Sequence, residues 1–459
     1  EELAGLFKGI EGAPRSYMFM STFDGCSGLS GPIPSGLFPI NGAPKDNLFR
    51  YTFRGGTGLT DKIPADLFEG VVGAPAQSMF SGTFWGCSRL TGEIPEVLFG
   101  GIIGKPASNM FTYTFRGCSG LTDKIPDKLF KRVGESDGTP ASSMFAGTFY
   151  GCSGLTGEIP ESLFGGISGA PAPSMFANTF NGCSGLTGIG GALFKGISGT
   201  PQPNMFIGTF EGCSGLTGTI PSKLFGIPNG EAAEGMFYGT FSGCSGLKGT
   251  IPSDLFGTLS GTGKTNMFRS TFYGDVGLTG YVPKGLFGTM TVPSSVPTGM
   301  MSNIFVNTGL VTECPCGTIE VASDFKPYWN STTSASSAKK VSCEVGLKPG
   351  EHWYNGTCTT ACPVAAMDEL HVGNRTPYVV FSEQLTQPSV HIKYGNTTCY
   401  VPLERENGLS GGGFIVIGGE GTSGRTDGQG LKVKYLGKTY KAGRPDDIVP
   451  EWFRIANNG

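Results

Sequence analysis

GCSGLTGEIPESLF occupies residues 151–164, and near-copies of it recur between Cys26 and Phe287. Aligned on a Thr-Phe pair, the copies place Phe23, Phe53, Phe84, Phe115, Phe149, Phe180, Phe210, Phe241 and Phe272 at intervals of 30, 31, 31, 34, 31, 30, 31 and 31 residues. A fixed period of this size marks a solenoid or array, in which one supersecondary unit buries its apolar face only against its neighbours. The phrase recurs because a single unit cannot fold alone.

Within a unit, SMFANTF at residues 174–180 puts Met175, Phe176, Thr179 and Phe180 on one face of a short helix. SGLTGEI then reads as a short extended strand, thin enough to stack at about 4.8 Å on its neighbours. PESLFGG opens on Pro160, tolerated in a first helical turn, and closes on glycine, which relieves a helix end. The expected order is therefore strand, short helix, loop, helix. KRVGESDGTP at residues 131–140 inserts three residues and reads as a surface loop. LTGIGGALF at residues 186–194 lacks one residue and the proline, which predicts a local bulge or kink.

Composition agrees with an ordered array. Of 459 residues, 77 are glycine, more than twice the usual share of roughly 7%. The 33 phenylalanines at fixed offsets exclude disorder, because a disordered chain lacks such apolar content. Lys plus Arg number 33 against 36 Asp plus Glu, net −3, with no basic stripe for phosphates, so nucleic acid is not an expected partner. No apolar run nears the roughly 20 residues of a membrane span. The N-terminus shows no charged-then-apolar leader, and a chain opening on Glu1 reads as a mature, exported form with its signal removed, located extracellularly or on a cell surface.

GLTGEIPESLF resembles the L-x-G-x-I-P-x-x-L stretch of extracellular plant-type leucine-rich repeats. MFANTFNGCSGLT is similar to the M-F-x-x-C-S-x-L-T phrase of BspA-like leucine-rich-repeat surface proteins, a closer match that covers residues 1–312. That resemblance implies a right-handed curved solenoid on cell surfaces, working in adhesion and protein binding. The fold expected is thus an α/β solenoid of leucine-rich-repeat-like coils, about nine to ten units over residues 1–312, followed by a small Cys-rich, mainly β domain at 313–459.

One cysteine per unit forms a column, Cys26, Cys87, Cys118, Cys152, Cys183, Cys213 and Cys244, with Gly56 and Asp275 at the remaining places. A column that accepts glycine and aspartate reads as small buried positions near backbone donors. Disulfides between adjacent coils are the alternative, which an odd number leaves incomplete. The position before the strand's Ile runs Pro32, Lys62, Glu93, Lys124 and Glu158, then Thr219, Thr250 and Tyr281. Alternating Lys and Glu would stack as cross-strand pairs, each contributing about 0.2–1 kcal/mol, on a face that is either a polar binding surface or a solvated stripe. GTGKT at residues 261–265 lacks the earlier glycine of a phosphate loop. GEGTSG at residues 419–424 satisfies G-x-G-x-x-G, but strand-like sequence follows it, so it reads as a glycine-rich hairpin.

Beyond residue 312 lie His352, His371 and His391 and the cysteines Cys314, Cys316, Cys343, Cys358, Cys362 and Cys399. An even count in an exported protein reads as up to three disulfides, with connectivity open. A zinc site from the CPC stretch, Cys358, Cys362 and His352 matches no strong spacing template. The sequons Asn330, Asn355, Asn374 and Asn396 are candidate glycan sites. The Cys-rich segment spans 313–365; from 366 to 459 short β-rich runs predict a small antiparallel sheet or sandwich. No nucleophile stands beside a base, so neither catalysis nor a cofactor is expected.

LAGLFKGI at residues 3–10 aligns with PESLFGGI at 160–167, so the chain opens half-way through a unit and would leave Leu6, Phe7 and Ile10, with Leu3, open to water. Two functions follow. In the first, that incomplete coil docks on another copy's C-terminal domain to build a head-to-tail filament, a structural subunit of the cell surface. In the second, a monomeric adhesin binds a host protein or glycan on the concave strand face.

Overall fold

The computed structural model describes residues 3–10, 12–279, 282–283, 286–291 and 297–310, and beyond these the backbone of ten short strands. Two compact units divide the chain, the first holding the repeats up to Thr312 and the second the strands from Thr318 onward.

The Met-Phe to Gly-Cys segment is not a helix. In the copy at residues 174–183, backbone N–H groups alternate between two destinations. Those of Ser174, Phe176, Asn178, Phe180 and Gly182 donate to carbonyls of the next copy, Pro203, Met205, Ile207, Thr209 and Glu211, at 2.7–3.0 Å. Those of Met175, Ala177, Thr179, Asn181 and Cys183 donate three residues back within their own copy. Ser174, Asn178 and Gly182 have φ of 53°, 54° and 74°. Asn178 and Gly182 are thereby the third residues of type II turns. An α-helix requires negative φ throughout and bonds four residues back, so the expected helices are excluded here, and no helix occurs among the described residues. The inward face is nevertheless the one expected. A backbone repeating every four residues points Met175, Phe176, Thr179 and Phe180 to the same side, and all are fully buried.

That side builds three columns of stacked rings. The Thr-Phe ring of one copy lies on the next, as Phe149 on Phe180 with centroids 5.6 Å apart and planes 6° from parallel. The Met-Phe rings do the same, Phe145 on Phe176 at 5.7 Å, and so do the Leu-Phe rings, Phe130 on Phe164 at 6.1 Å. Rings of different columns meet tilted, Phe164 against Phe176 at 4.8 Å and 52°, the arrangement that aromatic quadrupoles favour. The Thr179 hydroxyl lies 3.1 Å from the carbonyl of Phe145, one copy back, and 2.8 Å from that of Phe176 in its own. It ties adjacent copies inside the core and satisfies its own burial.

The rest of each copy closes the circuit. PESLF forms single turns, Leu163 N–H to Pro160 and Gly165 N–H to Ser162, instead of the second expected helix. Short parallel ladders flank it on both sides, among them Gly31–Pro32 with Leu59–Thr60, Gly157–Ile159 with Leu186–Ile189, and Ser198–Gly199 with Ile227–Glu231 and Thr258–Ser260. At Gly185 a Cβ would stand 2.4 Å from the Leu155 carbonyl, which is why the Ser-Gly-Leu phrase carries glycine. The register slips between Gly157 and Glu158, against the copy that lacks a residue. The 131–140 insertion is a surface loop pinned by Arg132–Glu135 and Lys105–Asp137 ion pairs.

In the second unit every described pairing is antiparallel. Tyr378–Phe381, Ser389–Tyr394 and Thr397–Pro402 form one sheet, and Val416–Gly419, Leu431–Tyr435 and Lys438–Ala442 another. The first glycine of GEGTSG thus ends a strand paired antiparallel to Leu431, not a strand feeding a parallel nucleotide-binding unit.

Truncating Phe176 removes stacking on Phe145 and Phe206 together with the tilted contacts to Phe164 and Phe194. Phe176→Ala is expected to cost about 3–5 kcal/mol by urea denaturation. The same change at Phe23, at the edge of its column, should cost clearly less; equal losses would contradict the continuous-column picture.

Candidate binding groove and buried column

Six of the seven column cysteines are buried. Cys87, Cys118, Cys152, Cys183, Cys213 and Cys244 are free thiols, and each donates to a phenylalanine carbonyl one copy back at 2.9–3.0 Å, as Cys152 to Phe115. Burial pushes the Cys87, Cys152 and Cys213 thiols up to about 12 and the other three well up also. Burial therefore favours the neutral thiol over the thiolate that nucleophilic attack or metal binding requires. Cys26, whose described surroundings hold no preceding Thr-Phe copy, is exposed and free. The alternative of adjacent-coil disulfides is not realised among these seven.

Asp275 ends this column. It is fully buried, and neither carboxylate oxygen has a hydrogen-bond partner. Desolvation pushes its pKa up to about 8, partly offset by the Cys244 backbone. Its burial thus favours the neutral acid over the anion at this place in the column.

On the outer side, Lys62, Glu93, Lys124, Glu158, Thr219 and Thr250 are all exposed, whereas the isoleucines that follow Lys62, Glu93, Lys124 and Glu158 are buried. Tyr281 lies outside the described residues. The expected Lys-Glu pairs do not form among these positions. The ladder sets Lys124 opposite Thr156, two residues short of Glu158, and Glu158 opposite Gly188. Instead Glu93, Lys124 and Glu158 line one groove of about 770 Å³, with Glu96, Asp123, Asp127 and Glu161 beside them. Only Glu96 of these acids is paired, to Lys128 at 3.3 Å. Lys124 is the one base among the lining residues, so the groove is strongly anionic. Sequence reading missed Glu96, Asp127 and Glu161, although each is the residue after the Ile-Pro pair in its copy, a column of three successive acids.

No protein-family model, curated protein or solved structure matches this chain.

The remaining candidates divide by place. Leu3 is buried at 8% exposure, and Phe7 and Ile10 pack against the core. Phe7 heads the Leu-Phe column, 5.8 Å from Phe38, which corrects the expectation that this segment lies open to water; Leu6 alone of the four is exposed, at 53%. Cys343, Cys358 and Cys399 sit on strands opposite Glu320, Trp353 and Ile392, their side chains outside the described residues. Cys314, Cys316, Cys362, Asn330, Asn355, Asn374 and Asn396 lie outside them altogether, and of the suggested zinc set only the backbones of His352 and Cys358, on paired strands, are described. Among the described residues no cluster of ligands suits a metal, and no helix is long and apolar enough to cross a membrane. Lys264 of GTGKT pairs with Glu231 at 3.6 Å on the flank of the ladders.

Asp275 gives a pH signature. Its folded pKa is raised to about 8 from the ordinary aspartate value of about 4, so its contribution to stability is complete below about pH 4 and is lost as pH climbs toward 8. Wild-type melting temperature should fall across that window, and Asp275→Asn should remove this part of the slope. A slope unchanged in the variant would mean that Asp275 is ionised and solvated.

Proposed function

We propose that the chain is a non-catalytic, extracellular binding module, a leucine-rich-repeat-like solenoid whose anionic groove captures a partner segment rich in lysine and arginine. The observation that carries this reading is the groove itself. Three copies, each with a filled core, present carboxylates from three columns around a cavity of about 770 Å³, and these side chains take no part in packing. Exposed carboxylates facing one lysine are mutually repulsive, so this charge weakens the isolated fold slightly and is relieved by a cationic ligand. The resemblance to BspA-like surface proteins points the same way, toward adhesion.

The test is binding of the whole protein to immobilised poly-L-lysine. Glu93→Gln, Asp123→Asn and Glu158→Gln together should weaken it about tenfold, at some 0.5 kcal/mol for each exposed charge. Lys124→Gln should strengthen it, and raising salt should abolish the difference. Binding indifferent to both sets of changes would refute the groove as the site.

A second reading is head-to-tail assembly, in which the first repeats dock on the next subunit's C-terminal domain. Two observations favour it. In the Met-Phe to Gly-Cys segment the cross-copy N–H groups donate to the following copy and the carbonyls accept from the preceding one, so this ladder is polar along its axis. Leu6, Tyr17 and Met20, three large apolar side chains exposed by 53%, 60% and 36%, also lie close together in sequence at one end. Negative-stain electron microscopy over a concentration series should show fibres that vanish when residues 1–12 are deleted; single particles at every concentration would remove this reading.

A further inference from the structure

The residue between Phe and Gly in the Thr-Phe-x-Gly phrase forms a column of its own, Asp24, Arg54, Trp85, Arg116 and Tyr150 in successive copies. Three residues earlier a second column reads Tyr51, Gly82, Tyr113 and Gly147. The two columns interlock. A Cβ on Gly82 would stand 2.5 Å from Cδ1 of Tyr51, and one on Gly147 2.3 Å from Cδ1 of Tyr113, so each tyrosine ring lies across a glycine of the next copy. Trp85 sits between them, 6.2 Å from Tyr51 and 5.4 Å from Tyr113 by ring centroids. All of these rings are half-exposed, and none belongs to the phenylalanine core.

Two arginines of this column differ in one respect that matters. Arg54 lies 4.3 Å over Tyr51 and gives Nε and Nη2 to the two oxygens of Asp24 at 2.8 and 2.6 Å. Its charge is met by a carboxylate one copy back. Arg116 has Trp85 at that place and Tyr150 on the other side, with its guanidinium carbon 4.6, 4.9 and 4.7 Å from the ring centres of Trp85, Tyr113 and Tyr150. Among the described residues its guanidinium has no hydrogen-bond or ion-pair partner. Three rings hold the planar cation by cation–π attraction, which restrains a side chain that otherwise loses freedom on binding. Its N–H edge is left as a ready fork for a carboxylate.

We propose that Arg116, held between Trp85, Tyr113 and Tyr150, docks an extended acidic peptide segment of a partner protein, with an Asp or Glu carboxylate taking on it the bidentate place that Asp24 takes on Arg54. The pair at Arg54 shows that this column accepts a protein carboxylate. Trp, Tyr and Arg are also the residues that carry most binding energy at protein interfaces, which favours a peptide over a carboxylated sugar chain. This arginine-aromatic stripe is distinct from the anionic groove, and its Arg116 selects a partner of opposite charge.

The experiment measures binding of the full chain to immobilised poly-L-glutamate, with polygalacturonate as the comparison surface and thermal melting as the check on folding. Arg116→Gln should weaken poly-L-glutamate binding by about tenfold or more, and Arg116→Lys should restore little of it, because a point charge replaces a planar fork. Arg54→Gln should leave binding unchanged within about twofold, since Asp24 already occupies that arginine. Asp24→Asn, which frees the Arg54 fork, should tighten it. Equal losses at Arg54 and Arg116 would reduce the stripe to non-specific charge, and binding to polygalacturonate alone would replace the peptide with a glycan. Either result, or no loss at Arg116→Gln, overturns the proposal.

Discussion

The structure depends on how each copy shares out its backbone hydrogen bonds. Half of the N–H groups in the Met-Phe to Gly-Cys segment close turns within the copy, and the alternate half reach the next copy. In the copy at residues 174–183 no backbone donor of that segment is left over, which a polypeptide in a dry core requires. The arrangement demands a left-handed residue every fourth position, and this demand reaches the sequence as Asn, Ser, Gly or Tyr just before the Met-Phe pair and two residues after it, and as invariable Gly before the cysteine column. Non-glycine residues there are strained by about 1–2 kcal/mol each, a cost that neighbouring copies must offset.

The three phenylalanine columns supply that offset. Ring stacking at 5.4–5.8 Å through the Thr-Phe column sets the copies in register, and the threonine hydroxyls and cysteine thiols tie each copy to the one before it. Because the core is made by this common scaffold, side chains on the outer columns are released from packing. Charge and aromatic surface can vary from copy to copy there at little cost, and the groove and the stripe are two such variations over neighbouring copies.

Period, core and copy boundaries were legible in the sequence because they rest on residue spacing. Phe176 and Phe180 are inside whether the backbone is a helix or a turn ladder, since a four-residue spacing resembles a helical one over so short a span. Backbone conformation was not legible by that route. The signal was present in Asn178 and Gly182, residues that tolerate positive φ and break helices, recurring four apart. Lys124 and Glu158 were legible as an exposed face, but their failure to pair was not, because the ladder sets Lys124 opposite Thr156, two residues short of Glu158, an offset that residue spacing does not reveal. Arg116 gave no sign in the chain of standing unpaired; that follows only from its stacking on Trp85 and Tyr150.

The account stands most directly on the left-handed conformation of one central residue, and Asn178 is the place to measure it. Asn178→Gly and Asn178→Ala both remove the side-chain bond from Asn181, so their difference isolates the backbone. A turn ladder with φ of 54° predicts that the glycine variant is the more stable of the two, by about 1 kcal/mol in chemical denaturation. A helix at this position predicts the opposite order by a similar amount, and an alanine variant more stable than the glycine variant would contradict the structure described.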